Sequence, residues 1–257
     1  MHSAVIRVQN VFGFFTTVAF CVAAMIALSS FIHPQTPSAA VRLRNVQVVR
    51  GRPHYYSYKK EEYAHIKFDL DTDLSTLFNW NTKQVFLYLK AIYPATKPNT
   101  PPSEAIIWDA ILGSDSAPWH QNHYVHPNPK AKTKSKTRNA NSKAKEAESP
   151  YPRGEIHLTN QKPKYQITDI SGKLQNRTDV ILELGWNVQP WVGALVWANK
   201  ADFGMWQGLQ GGMSESFTFP EIGKMRKSED MKVEKGKEGH VLMAGEEQPV
   251  RKAGQRA

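Results

Sequence analysis

Asp69, Asp71 and Asp73 stand at alternate positions, the spacing with which a calcium loop opens. An EF-hand would continue with Gly at the sixth position and Glu at the twelfth. Leu74 and Trp80 occupy those positions, so the pattern fails. On a strand the same spacing puts three carboxylates on one face, and three solvent-facing acids are the expectation. A second group, Ser114, Asp115, His120, His123 and His126, holds the residue types of a hydrolytic relay or a histidine metal site. A relay is defined by spatial geometry, and closeness in sequence does not supply it. The chain has neither a G-x-S-x-G nucleophile elbow nor an H-E-x-x-H zinc motif. These histidines are therefore expected in a solvated loop, with no catalytic residue, metal or cofactor assigned. The single cysteine, Cys21, excludes a disulfide framework and any Cys-based zinc or iron–sulfur site within one chain.

The net charge of +10 suggests a nucleic-acid binder until the charge is located. Residues 130–145 carry seven basic and no acidic residues, whereas residues 1–129 carry 11 and 8. That one run supplies most of the excess and has no interleaved aromatics for base stacking. A solvated insertion is expected, and no nucleic-acid partner. Trp186, Trp191 and Trp197 cluster near the last strands. An exposed row would make a platform for sugars or a partner, whereas a buried set would simply be core. Both readings stay open at the level of sequence.

The elements that must position these residues begin with an anchor. No Lys, Arg, Asp or Glu occurs between Val8 and Val41, and residues 11–32 are apolar apart from two Thr and two Ser. Twenty-two helical residues reach ~33 Å, enough for a hydrocarbon core of ~30 Å. His33 and Pro34 mark the exit. A cleaved signal peptide is the competing reading, with Ser38, Ala39 and Ala40 as a small-residue cleavage site. The apolar run exceeds the usual ~7–15 residues of such a peptide, which favours a retained signal-anchor.

Beyond the anchor the apolar period is two. Ala64, Ile66, Phe68 and Leu70 alternate with polar residues, and residues 85–92 are apolar on both faces, as in a central sandwich strand. Residues 74–80 read as a compact corner between them. Further strands are expected at 46–49, 105–111, 155–158, 164–168, 180–187 and 194–197. The fold class expected is all-β: one transmembrane helix, then a β-sandwich-like domain. The organisation read is a short N-terminus at 1–10, the span at 11–32, a juxtamembrane linker at 33–45 and a β domain at 46–220. Within that domain residues 127–152 form a low-complexity basic insertion, and residues 221–257 read as a disordered tail.

Orientation is ambiguous on charge. Arg7 precedes the span, whereas Arg42, Arg44 and Arg50 follow it, which weakly favours a cytosolic domain. Asn176-Arg177-Thr178, the only N-x-[ST] sequon, favours a lumenal one.

Residues 68–93, FDLDTDLSTLFNWNTKQVFLYLKAIY, closely resemble the signature stretch of the signal peptidase complex subunit 3 family. The core of the resemblance is Phe78, Trp80, Asn81, Lys83, Gln84, Phe86, Tyr88 and Leu89. IIWD at 106–109, KYQITDISGKLQNRTDVILELGWNVQP at 164–190 and FTFP at 217–220 follow in the family's order. The resemblance covers roughly residues 5–222, and departs at the basic insertion and the tail. It implies a non-catalytic, single-pass type II glycoprotein of the endoplasmic reticulum membrane with a lumenal β domain. Its implied partners are the serine-type catalytic subunit, the other small membrane subunits and, through residues 11–32, the bilayer. Asn176 falls where the family carries its glycan, and Trp80, Asn81 and Lys83 are the expected partner contacts.

Overall fold

In the computed structural model the described residues are 3–96, 99–118, 120–126, 151–198, 201–223 and 225–227. Helix α1 spans Ala4–Ser29 and tightens into a 3-10 turn at Ser30–Ile32. It is long and apolar enough to cross a bilayer. It starts seven residues before the apolar run expected to form the span, because Ser3 caps it by accepting from the Ile6 N–H. Inside the helix, Thr16 and Thr17 return their hydroxyls to the Gly13 carbonyl and Ser29 to that of Ile26. These polar groups therefore need no water.

The strands are β1 (Ser38–Gly51), β2 (Glu61–Asp73), β3 (Thr82–Tyr93), β4 (Ser103–Gly113), β5 (Glu155–Gln161), β6 (Ile181–Pro190), β7 (Val196–Trp197), β8 (Gln210–Gly211) and β9 (Met225–Lys227). One sheet runs β5-β2-β1-β8, with β9 also on the outer edge of β1; the other runs β4-β3-β6-β7. Pairing is antiparallel except for the short β1–β8 contact.

The period-two pattern explains the layers. Val46, Val48, Ala64, Ile66, Phe68 and Leu70 face inward from the first sheet. Val85, Leu87, Leu89, Ala91, Leu182, Leu184 and Trp186 meet them from the second. Phe68 and Trp108 join the sheets edge to face at 6.1 Å. Phe217 and Phe219 close one end of the core, with Phe217 bridged to Val180 and Phe219 edge-on to Tyr93.

Several expectations are corrected. β1 begins at Ser38, so residues 38–45, read as linker, are strand, and the tether is only residues 33–37. Arg42 and Arg44 broke the apolar alternation, and a bulge between Leu43 and Asn45 shifts the register. Residues 164–168 are not a strand. The Lys164 and Tyr165 N–H groups both donate to the Ile107 carbonyl of β4, and Ile167 makes a single bridge to Ala64 of β2. The segment is a strap laced from one sheet to the other. Met225–Lys227, read as tail, pairs with β1 as β9. Residues 127–150 and 228–257 lie outside the described residues.

Asp69 is also corrected: it is 4% exposed, not solvent-facing. Arg44, the residue added at the β1 bulge, pairs with its Oδ2. On the other side Asn160, at φ 52°, donates its backbone N–H to Oδ1 at 2.8 Å, beside the β2–β5 register shift. One carboxylate thus holds two bulges.

Candidate functional site at the junction of helix and sandwich

The corner between β2 and β3 carries Trp80, Asn81 and Lys83, and its shape is set by local hydrogen bonds. Asn79 Oδ1 accepts from the Asn81 N–H at 3.0 Å. Thr82 Oγ1 donates to the Leu77 carbonyl at 2.9 Å and accepts from the Asn79 N–H at 3.2 Å. Such bonds are the usual way Asn and Thr hold a turn.

This turn aims the Asn81 side chain inward, where it is 2% exposed. Its Oδ1 accepts from the Val192 N–H at 3.1 Å, and its Nδ2 donates to the Val192 carbonyl at 2.7 Å. The second Nδ2 hydrogen reaches Ser30 Oγ, at the end of the anchor, at 3.0 Å. Its backbone carbonyl accepts from the Trp191 N–H at 2.8 Å. Asn81 was expected as an exposed partner contact, and within this chain it is buried. It is an internal clamp joining the corner, the loop after β6 and the anchor.

Further contacts hold the same joint. Gly193, at φ +127°, lies so close to α1 that a methyl group on it would stand 3.3 Å from Ala27 Cβ. On the other side Phe31 stacks on Trp206 at 4.8 Å with planes 12° apart, and Trp206 Nε1 donates to the His33 carbonyl at 3.2 Å. Gln35, buried in the tether, donates its N–H to Met205 O at 3.0 Å and accepts from the Gln207 N–H at 2.8 Å. Thr16, Ala23, Ile26, Ala27, Ser29 and Ser30 are half-buried, and of these Ala27 and Ser30 meet the domain, at Gly193 and Asn81. Ser30, Gly193 and Trp206 were not singled out in the sequence, and the tract of small residues in α1 was the one available signal.

Trp80 is 56% exposed beside the clamp. Lys83 sets its ammonium over the Trp191 ring at 5.2 Å, and Trp191 Nε1 donates to Ser116 Oγ at 3.2 Å. The three tryptophans form no single row. Trp186 is buried in the core, Trp191 lies at the junction, and Trp197 packs on Tyr88 on the outer face of its sheet.

The residues of the suspected relay are engaged separately. Ser114 Oγ lies 3.0 Å from Ser116 Oγ, Asp115 pairs with Arg153, and His123 Nε2 lies 3.4 Å from Gln84 Oε1. Burial, then the charges of His120, Arg153 and Lys83, push the His123 pKa down. His126 Nε2 lies 2.7 Å from the His157 carbonyl. Asp71 Oδ1 lies 3.1 Å from His157 Nδ1, and Asp73 accepts from the Ser75 hydroxyl and N–H. Among the described residues no three His, Cys, Asp or Glu side chains converge as metal ligands.

The sequon lies at the opposite end of the sandwich. Asn176 is exposed, in a turn at φ 59°, and its N–H donates to Phe219 O at 3.0 Å. Glu62, 4% exposed, braces the approach by accepting from the Leu174 and Gln175 N–H groups at 2.6 and 2.9 Å. Arg177 binds Asp169 at 2.6 Å and donates to Pro94 O, Thr96 Oγ1 and Lys173 O. Burial opposes ionisation of Asp169, but hydrogen bonds from Ser171 and Arg177 outweigh it and hold its pKa below the ordinary value.

A family model described as signal peptidase subunit matches residues 1–141 and 145–207, which include the anchor, the corner and the clamp. The chain belongs to the signal peptidase subunit family. Within that family, signal peptidase complex subunit 3 of Saccharomyces cerevisiae is 34% identical over 207 residues, covering 77% of this chain and 91% of the relative. The subunit 3 proteins of Yarrowia lipolytica and Gallus gallus are 30% and 29% identical, covering 77% and 72% of this chain and 92% and 74% of theirs. The stretches that resemble signal peptidase complex subunit 3 build the joint and the core: residues 78–89 form the corner and β3, and residues 217–220 cap the core with Phe217 and Phe219.

Proposed function

We propose that this chain is a non-catalytic accessory subunit of the signal peptidase complex, supporting cleavage of signal peptides from nascent proteins in the endoplasmic reticulum. Its N-terminus stays cytosolic, α1 is a retained type II anchor, and the sandwich is lumenal. The partners are the serine-type catalytic subunit and the complex's other small membrane subunits, with Trp80 and Lys83 available at the junction as contacts.

The observation that carries this reading is the Asn81 clamp. A protease cutting beside a bilayer needs its site at fixed depth, and rate depends steeply on such geometry. A sandwich hinged freely on its anchor could not brace a neighbour, whereas one joined through Ser30, Asn81 and Val192 can. Retention of the anchor is supported by Ser38, Ala39 and Ala40, which are paired to Asp73, Thr72 and Asp71 within β1 and β2. A cleavage enzyme needs an extended segment free of such pairing. A lumenal sandwich is supported by the exposed sequon at the end far from the anchor. A binding module for glycans or unfolded chains is less favoured, because Trp186 is buried and cannot join Trp191 and Trp197 in one exposed row.

Depletion of the chain from cells should make uncleaved preproteins accumulate, and normal processing after complete depletion would overturn the reading. The purified full-length chain, without partners, should leave a preprotein peptide intact.

A further inference from the structure

Four exposed apolar side chains of the sandwich lie on loops near the end of α1, while others, such as Tyr55, Tyr56, Tyr58 and Ile170, are exposed elsewhere. Trp191 is 46% exposed, Leu195 57%, Phe203 70% and Met205 53%. Residues 184–199 and 203–214, which contain them, carry no Lys, Arg, Asp or Glu. Single exposed apolar side chains are ordinary, but a group of four on two loops at one end of a domain, with Lys200 and Asp202 the sole charges of the second loop, is not.

Depth along α1 identifies what covers them. Gly193 packs against Ala27, five residues before Ile32, the end of the apolar run. At ~1.5 Å per residue that contact lies ~7 Å inside the end of the run. The loop tip therefore shares the depth of Leu28 and Phe31, themselves exposed apolar residues of the anchor. The 203–206 segment stands at the exit, where Phe203 and Trp206 exchange backbone hydrogen bonds and Met205 O accepts from Gln35. Trp is the residue type that favours the headgroup boundary, and interfacial elements bury ~5–10 Å into it. Lys83 over Trp191 places an ammonium on the same rim, where it can reach lipid phosphate.

We propose that the anchor-proximal end of the sandwich is itself seated in the lipid interface, with Trp191, Leu195, Phe203 and Met205 immersed at the headgroup–acyl boundary. It rests on α1 crossing the bilayer. Lipid contact and the clamp then act together: the clamp fixes the domain to the anchor, and the loops fix its height.

The test uses the full chain in phosphatidylcholine vesicles, with one nitroxide at a time. The native Cys21 reports on the anchor, and Cys21→Ala backgrounds carrying Leu195→Cys, Phe203→Cys or Ile170→Cys report on the domain. Collision with oxygen is compared with collision with a water-soluble nickel chelate. Labels at 195 and 203 should follow Cys21 in favouring oxygen, with an oxygen-to-nickel ratio several-fold above that at 170. Leu195→Lys, folded as judged by its unfolding transition, should show a reduced ratio at 203. If Cys21 is lipid-exposed while 195 and 203 match 170, the proposal is overturned and the anchor stands. If Cys21 itself meets the nickel chelate, the anchor reading fails and takes the proposal with it. Shielding of 195 and 203 only after the other subunits are added makes the surface a protein contact and also overturns it.

Discussion

Asn81 and Ser30 are 51 positions apart, yet the Asn81 amide donates to the Ser30 hydroxyl at 3.0 Å while its other edge pairs with the Val192 backbone. The end of the anchor is thereby hydrogen-bonded to the sandwich. A side chain that satisfies two part-buried backbone groups at once is costly to lose, because a buried group left without a partner costs about 1–3 kcal/mol. Asn81→Ala should destabilise the chain by about 2–4 kcal/mol, and Ser30→Ala by about 1 kcal/mol, in chemical unfolding of the detergent-solubilised protein. Equal, negligible effects would mean that the junction is loose.

The two bulges of the first sheet meet at Asp69. Removing one partner of a buried ion pair costs about 3–5 kcal/mol, since the other charge is left behind. Arg44 keeps partial access to water, with 30% of its side chain exposed, so the lower end of that range applies to Asp69→Ala. Asp71→Ala, on the exposed neighbour two positions along, should change stability by no more than about 0.5 kcal/mol. Denaturant midpoints of the two variants distinguish a structural Asp69 from a row of equivalent acids.

The acid response follows from Asp169. Its pKa is lowered in the folded chain, so its contribution is fully present above the ordinary Asp value of about 3.9 and is lost as pH falls through the lower folded value. Between pH ~5 and pH ~2 the native chain should therefore lose more stability than Asp169→Asn. Urea unfolding across that range measures the difference, and parallel curves would remove Asp169 from the account.

Glycosylation tests orientation without disturbing the fold. Thr178 is exposed, and Thr178→Ala abolishes the sequon while leaving the left-handed backbone of Asn176 untouched. In membranes from living cells the native chain should shift in mobility on glycosidase treatment and Thr178→Ala should not. A native chain that never shifts would speak for a cytosolic sandwich.

The parts legible in the sequence were those with a local signal. β3 and β6 announce themselves because alternate residues such as Val85, Leu87 and Leu89, or Leu182 and Leu184, must face the same core. The anchor is legible because twenty-two uncharged residues have few other uses. What stayed hidden depends on distance. Nothing near Asn81 indicates that its partners lie 51 and 111 residues away, so its place in a recognisable motif suggested an exposed contact. Asp69 looked like one of three equal acids because its burial comes from two bulges, each made by residues on another strand. The 164–168 strap has the composition of a strand but spans two sheets, which no periodicity reports.

The central claim is that the sandwich supports its complex by being held rigidly at one height above the bilayer. It is tested most directly by rescue of precursor processing in depleted cells. The rescuing chain carries Asn81→Ala and a flexible insert of about ten residues within the 33–37 tether, enough to let the domain wander by ~17 Å. Co-purification confirms that the altered chain still joins the complex. The account predicts that the native chain restores signal-peptide removal and that the loosened chain, though assembled, leaves precursors uncleaved. Processing at the native rate by an assembled, loosened chain would contradict it.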